Sequence, residues 1–166
     1  MTDTGARAWS VLAEVPDPEI PVLSVVDLGI VREVTESADG SAVTVVLTPT
    51  YSGCPATEVI AHDVGAALGR VYTRVEIQTR LSPAWTTDWL SDAGREKLSG
   101  FGIAPPNGRA LLPVISLDAP EADAPGRCPQ CSGSDLELLS GFGSTPCKAL
   151  WRCRSCMEPF DYFKVI

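Results

Sequence analysis

The 166-residue sequence predicts an α+β fold, a small mixed sheet covered by helices on one face, followed by a separate β-rich ribbon. Three observations predict it. Helical and strand periodicities run α-β-β-α-β-α over residues 7–99, the order expected of helices packed on one small sheet. Five of the six cysteines fall in the last forty residues, four of them as two C-x-x-C pairs. Between the two regions, APPNG and DAPEADAPG read as turn and linker chemistry. The expected organisation is a first domain over 1–103, a linker over 104–126 and a ribbon over 127–166.

The first element, RAWSVLAEV (residues 7–15), places Trp9, Leu12 and Val15 on one apolar helical face. It stops before PDPEIP, because each proline removes a backbone donor and biases its predecessor away from helix. Residues 30–35 and 42–48 are strands. In the second, Val43, Val45 and Leu47 alternate with Thr44, Val46 and Thr48, and Asp39-Gly40 marks the turn between the two. Residues 55–69 form the best helix, with Ile60, Val64, Ala67 and Leu68 at helical spacing and Gly69 as a stop. A strand over 71–81 follows, with Val71, Val75, Ile77 and Leu81 on one side, and then a helix over 86–99. In the tail, LELLS and ALWRC read as strands.

Net charge is −8, and the acidity belongs to the first part: residues 1–103 carry 14 acids and 7 bases, residues 104–166 carry 7 and 6. Such a surface repels phosphate backbones, so nucleic acid is not an expected partner. No apolar run approaches the eighteen residues of a membrane span, and MTDTGARAWS lacks the basic start and apolar stretch of a signal peptide. The cytoplasm is the expected location. Thiols stay reduced there, which favours metal ligation over disulfides.

Cys128-Pro-Gln-Cys131 and Cys153-Arg-Ser-Cys156 are separated by twenty-one residues. Each pair turns two sulfurs toward one ion, and two such knuckles supply the thiolate tetrahedron that suits zinc. A rubredoxin-like iron site or a cluster shared between chains would use the same donors. A ribbon of about forty residues cannot bury enough surface to fold unaided, so the metal would contribute directly to folding. A closed four-thiolate zinc site has no open position, and its expected role is structural. Cys147 is left over and is read as a small buried side chain, since four ligands already saturate zinc.

Cys54 stands apart from these, in the stretch SGCPA. Pro55 suits the first position of a helix, which places Cys54 at the cap. The helix's unpaired amides and positive end would then face the sulfur and favour its charged, ligating form. A nucleophile, a persulfide carrier and a soft-metal ligand all fit this chemistry, as does an inert buried cysteine. A thiol hydrolase needs a histidine base. His62, the one histidine, lies eight residues along the same helix, roughly 12 Å by helical rise, and cannot serve Cys54 within one chain. Autonomous catalysis is therefore not expected. Asp17, Glu19 and Asp27 sit in turn-like surroundings; near Cys54 they would offer hard oxygen ligands to iron, and otherwise they cap or solvate.

Three segments, Asp17-Pro18-Glu19-Ile20-Pro21, Asp27-Leu28-Gly29 and Thr48-Pro49-Thr50-Tyr51-Ser52-Gly53-Cys54-Pro55, resemble in order and spacing the small iron–sulfur assembly family that includes SufT and the eukaryotic cytosolic targeting factors. Taken with the tail, from Cys128 through GSTPCKALWRC (143–153) and Cys156 to Lys164, the whole chain is similar to the PaaD type of accessory subunit encoded with a phenylacetyl-CoA epoxidase. This resemblance implies delivery of iron or iron–sulfur clusters, with Cys54 as the functional residue beside structural zinc. It implies as partners the epoxidase's di-iron oxygenase, its flavin- and cluster-bearing reductase, and the iron–sulfur assembly machinery. One thiolate cannot hold a cluster, which normally takes four protein ligands. A second copy in a homodimer, a client or small thiols would complete the shell around transient iron or a cluster.

Overall fold

The computed structural model describes residues 5–51, 53–107 and 124–166. Ser52 and residues 108–123, which hold the apolar run LLPVISL and most of the expected linker, lie outside them. The chain divides into two compact units, residues 1–85 with 89–94, and residues 86–88 with 95–166. Residues 95–103 thus group with the ribbon, although the sequence places a boundary after 103. No helix among the described residues is long and apolar enough to cross a membrane.

In the first unit, α1 (Ala6–Leu12) and α2 (Thr57–Leu68) accompany a sheet of β1 (Val31–Glu36), β2 (Ala42–Leu47) and β3 (Arg74–Thr79). The strand order is β1-β2-β3, with β1 antiparallel and β3 parallel to β2. The mixed sheet follows from the connections. A tight turn joins β1 to β2, whereas two parallel neighbours need a crossover, which α2 supplies. In β2, Val43, Val45 and Leu47 are buried on one face, in register with Val75, Ile77 and Thr79 of β3. The covering helix α2 buries Ile60, Val64 and Leu68, and Gly65 packs on the Ile77 side chain. Each such fully buried aliphatic contributes about 1.5–3 kcal/mol. Helices cover one face, as the periodicity predicts.

Helix α1, strand β3 and the region 86–99 differ from the sequence reading. Helix α1 ends at Leu12, and Val15 is held by a bond from its amide to the Leu12 carbonyl, so the turn ahead of Pro16 is tighter than α. Strand β3 begins at Arg74 because the Val71 and Tyr72 amides both close the end of α2 on Leu68 O. The expected helix over 86–99 is instead a single 3-10 turn, Thr87–Trp89, and then α3 (Asp92–Phe101). Ser91 divides them. Its side-chain Oγ accepts from Gly94 N at 2.9 Å, which makes it the cap of a new helix.

The second unit carries an antiparallel sheet, β4 (Leu136–Ser140), β5 (Lys148–Cys153) and β6 (Pro159–Phe163), in the order β4-β5-β6. The sequence reading has β4 and β5 and lacks β6. Its signal is the alternation of Phe160 and Tyr162, both buried, after a proline at the first strand position, where no ladder donor is lost. Phe160 and Tyr162 pack with Ala104, Ala149, Cys128 and Cys153 in the ribbon's small core.

Gly29 and the β1–β2 turn each generate a test. Gly29 has φ +67°, and a Cβ there would lie 2.3 Å from Trp89 O. Gly29→Ala should destabilise the first unit by roughly 2 kcal/mol or more, read as a lower urea midpoint. In the turn, the Ser37 hydroxyl foremost, then the Ser41 amide and hydroxyl, donate to Asp39 and hold its carboxyl down to about 2. A carboxylate depressed in the fold stabilises it fully above the ordinary range near 4, and that contribution disappears as pH falls through the folded value. An NMR titration should place the Asp39 midpoint at about 2; a midpoint near 4 would mean the turn bonds do not persist in solution.

Candidate functional site

Two sulfur sites are present, one in each unit, and they differ in every property that matters for ligation. In the second unit, the first knuckle (Cys128, Cys131) precedes β4, Cys153 ends β5, and Cys156 lies in the turn to β6. Leu136 of β4 pairs with Cys153, so the ladder itself sets the knuckles opposite each other. Backbone bonds tighten the first knuckle: Ser132 N donates to Cys128 O at 2.9 Å, and Gln130 N to the Cys128 sulfur at 3.4 Å.

The four Sγ atoms lie within 4.8 Å of one another, with Cys128–Cys156 at 3.8 Å and Cys131–Cys153 at 3.6 Å. These separations are far beyond a disulfide bond of about 2.05 Å. A tetrahedral zinc with Zn–S bonds of about 2.3 Å sets its sulfurs roughly 3.8 Å apart. The residues present fit that ion. The Cys156 amide leads in drawing the Cys153 thiol down to about 6, with burial opposing and the Ser155 amide assisting. The Glu158 amide lowers Cys156, yet burial and the neighbouring sulfurs push it up to about 12. Sulfurs this crowded ionise together when a divalent cation offsets their repulsion. Cys128 and Cys153 are buried, Cys156 is half-buried and Cys131 is exposed; a tetrahedral ion held by all four would have no open position. Cys147 stays outside it, buried, with its sulfur 3.1 Å from the Thr145 hydroxyl oxygen.

Cys54 occupies the loop from β2 to α2 in the first unit and is half-buried. The helix starts later than the sequence reading places it: Thr57 is its first residue and Ala56 its cap, so Cys54 precedes the cap by two positions. The reason is local. The Cys54 carbonyl accepts from Thr57 N at 3.2 Å and from the Thr57 hydroxyl at 2.9 Å, closing an i→i+3 turn ahead of the α ladder. The Cys54 amide in turn donates to Tyr51 O at 3.2 Å. Thr57 thus holds the thiol-bearing turn, a role the sequence reading lacks, although a hydroxyl residue opening a helix is a recognisable signal. Gly53 adopts no positive φ, and a Cβ there would meet only the Tyr51 ring at ordinary contact distance. His62 is exposed on α2.

The acids of the family-like segments shape turns. Asp17 is buried, and its Oδ1 accepts from Glu19 N at 2.9 Å and Ile20 N at 2.7 Å. Asp27 is buried too. Its Oδ2 accepts from Ser24 N and from the Ser24 hydroxyl, which itself accepts from Asp27 N. Glu19 is half-buried. Pairing nevertheless gathers two of these segments: Val31 opposes Leu47 and Thr48 N donates to Ile30 O at 2.8 Å. The loop ending in Asp27-Leu28-Gly29 and the loop bearing Cys54 therefore leave the same end of the sheet.

Chelation of the metal should abolish the folded signals of β4–β6 and leave β1–β3 intact, as monitored by amide NMR spectra; a cooperative loss of both would contradict separate stabilisation.

Residues 6–79 match the family model described as iron–sulfur cluster assembly protein, and residues 115–164 match the PaaD zinc beta ribbon domain. A protein of Escherichia coli K12, described as one component of a "Putative 1,2-phenylacetyl-CoA epoxidase", is 49% identical over 162 residues, covering 95% of this chain and 91% of that protein. An "Fe-S protein maturation auxiliary factor" of Porphyromonas gingivalis is 40% identical over 92 residues, 54% of this chain and 85% of that one. The crystal structure of a DUF59 domain of unknown function from Bacillus anthracis superposes with a TM-score of 0.51 at 26% identity, covering 55% of this chain and 88% of that one. With both modules present in this order and near-full-length similarity to an epoxidase component, the chain belongs to the PaaD family.

Proposed function

We propose that the chain is an accessory maturation factor that delivers iron or iron–sulfur clusters to a multicomponent phenylacetyl-CoA epoxidase. The observation that carries this reading is the half-exposed Cys54, set in a hydrogen-bonded turn of the assembly-type domain and separate from the closed four-sulfur centre. The two relatives, an epoxidase component and an iron–sulfur maturation factor, supply the client class and the cargo class.

The chemistry is ligand exchange. On taking up cargo the Cys54 thiol releases its proton and the sulfur becomes one ligand; a second copy of the chain, small thiols or the client fills the remaining positions. A client thiolate then replaces Cys54, whose sulfur recovers a proton. No electron changes hands. A site with one protein ligand is weak by construction, which suits release. The four-sulfur centre, already filled by its own ligands, serves as a structural clamp holding zinc. Partners under this reading are the oxygenase and reductase components and the cytoplasmic iron–sulfur assembly machinery.

A second reading, a non-catalytic docking component of the oxygenase, is favoured by the ribbon. Leu138, Leu139 and Phe142 are exposed there, Phe142 at 71%. The two readings separate in one experiment. Cys54→Ser should lower the cluster content of the reductase or the iron content of the oxygenase several-fold when the components are co-expressed, with the complex still formed. Full loading of both clients by Cys54→Ser would remove the delivery reading and leave docking.

A further inference from the structure

Arg32 lies at the end of the sheet from which the Cys54 loop departs. Val31 pairs with Leu47 and Glu33 with Val46, so Arg32 is the extra residue of a β-bulge. Bulges re-aim a side chain and occur beside functional sites. The Arg32 guanidinium sits 3.5 Å from the centroid of the Trp89 ring and donates through Nη1 to Gly29 O at 3.4 Å. Stacking on the indole fixes the plane of the fork, and Arg32 is exposed, so the remaining donors are accessible to a ligand.

The platform beneath it is itself built. Segment 27–29 receives Trp85, Trp89 and Ser91. Ser91 N donates to Asp27 O at 2.9 Å, Trp85 Nε1 donates to Leu28 O at 2.8 Å, and Gly29 leaves room for the Trp89 backbone that any Cβ would strike. The acid next in sequence, Glu33, is bound to Arg80 at 2.6 Å, and no carboxylate pairs with Arg32 among the described residues. A planar, pre-oriented guanidinium without an anion is the side chain best suited to grip a carboxylate in two parallel bonds. Phosphate backbones are disfavoured by the net charge of −8.

We propose that Arg32, stacked on Trp89, is the anchor through which the Cys54 end of the sheet binds an acidic side chain on the surface of its protein client. The inference rests on the client reading of Cys54 and names the chemistry of the docking face. Arginine anchors of this kind are frequent hot spots, and losing one weakens association by about tenfold or more.

The test titrates the zinc-loaded full chain with the purified oxygenase and reductase components by calorimetry. Arg32→Gln should weaken binding of one component about tenfold and flatten its salt dependence. Arg32→Lys, which keeps the charge and loses the fork, should weaken it several-fold. Arg74→Gln removes the same charge at the other end of the sheet, where Arg74 opposes Ala42, and should leave affinity within about twofold. Equal effects of Arg32→Gln and Arg74→Gln, no effect of either, or no association of the wild-type chain with either component would each overturn the proposal. Thermal melts of each variant confirm the fold, and Arg32→Lys carries the test if Arg32→Gln fails to fold. Repeating the titration in the Cys54→Ser background separates docking from delivery. Association that ignores Arg32, with delivery still dependent on Cys54, overturns only the anchor.

Discussion

Strand β2 is the constraint around which the first unit is organised. It is the central strand, hydrogen-bonded on one edge to an antiparallel neighbour and on the other to a parallel one. Val43, Val45 and Leu47 are buried on one face, so the strand cannot slip by one residue without moving this apolar set to the other face. The parallel partner forces a helical crossover, and the crossover has to begin where β2 ends. The loop over residues 48–56 is that beginning. Cys54 therefore stands at the carboxyl end of a strand and just ahead of a helix, a position that open sheets with helical crossovers repeatedly use for binding. The antiparallel partner β1 returns segment 27–29 to the same end, so pairing between neighbouring strands converts motifs distant in sequence into one neighbourhood.

The two sulfur sites follow opposite designs for physical reasons. In the ribbon, four thiols from two knuckles and a strand end converge within 4.8 Å, and the core around them is no more than a few side chains. Such a small core cannot stabilise forty residues, and a metal held by the four sulfurs would make up the difference. Saturation would make that site a poor donor of its ion. In the first unit the core is large enough to need no clamp, and the cysteine is left with one sulfur, partial exposure and a turn fixed by Thr57. A single sulfur is an incomplete ligand set and a weak holder, which suits the proposed delivery role.

The acids Asp17 and Asp27 illustrate how a motif residue can be structural in its chemistry. Asp17 and Asp27 are buried and bonded to the backbone amides of their own turns. Their carboxylates shape backbone. Gly29 shapes its surroundings by absence, since only a missing side chain admits the Trp89 backbone and places the indole under Arg32. The Asp27-Leu28-Gly29 segment is thus a receptor for Trp85, Trp89 and Ser91, and the guanidinium above them is the part that faces outward.

The order of residues along the chain was enough to specify what is local. Period-two alternation over residues 43–47, helical spacing over 60–68 and the turn at Asp39-Gly40 identified their elements, because each depends on residues only a few positions apart. Two C-x-x-C pairs picked out the four sulfurs that converge, since the spacing within a knuckle is a property of a short chain. Other features emerged only once the chain was folded. The cap of α2 moved past Cys54 because Thr57 bonds back to its carbonyl, and β3 shortened because the Val71 and Tyr72 amides close the helix end. No pattern within residues 30–36 predicts the bulge at Arg32 or a partner fifty-seven residues away. Side-chain periodicity records which face of an element is buried; it carries no record of what that face, or a bulged residue beside it, will meet.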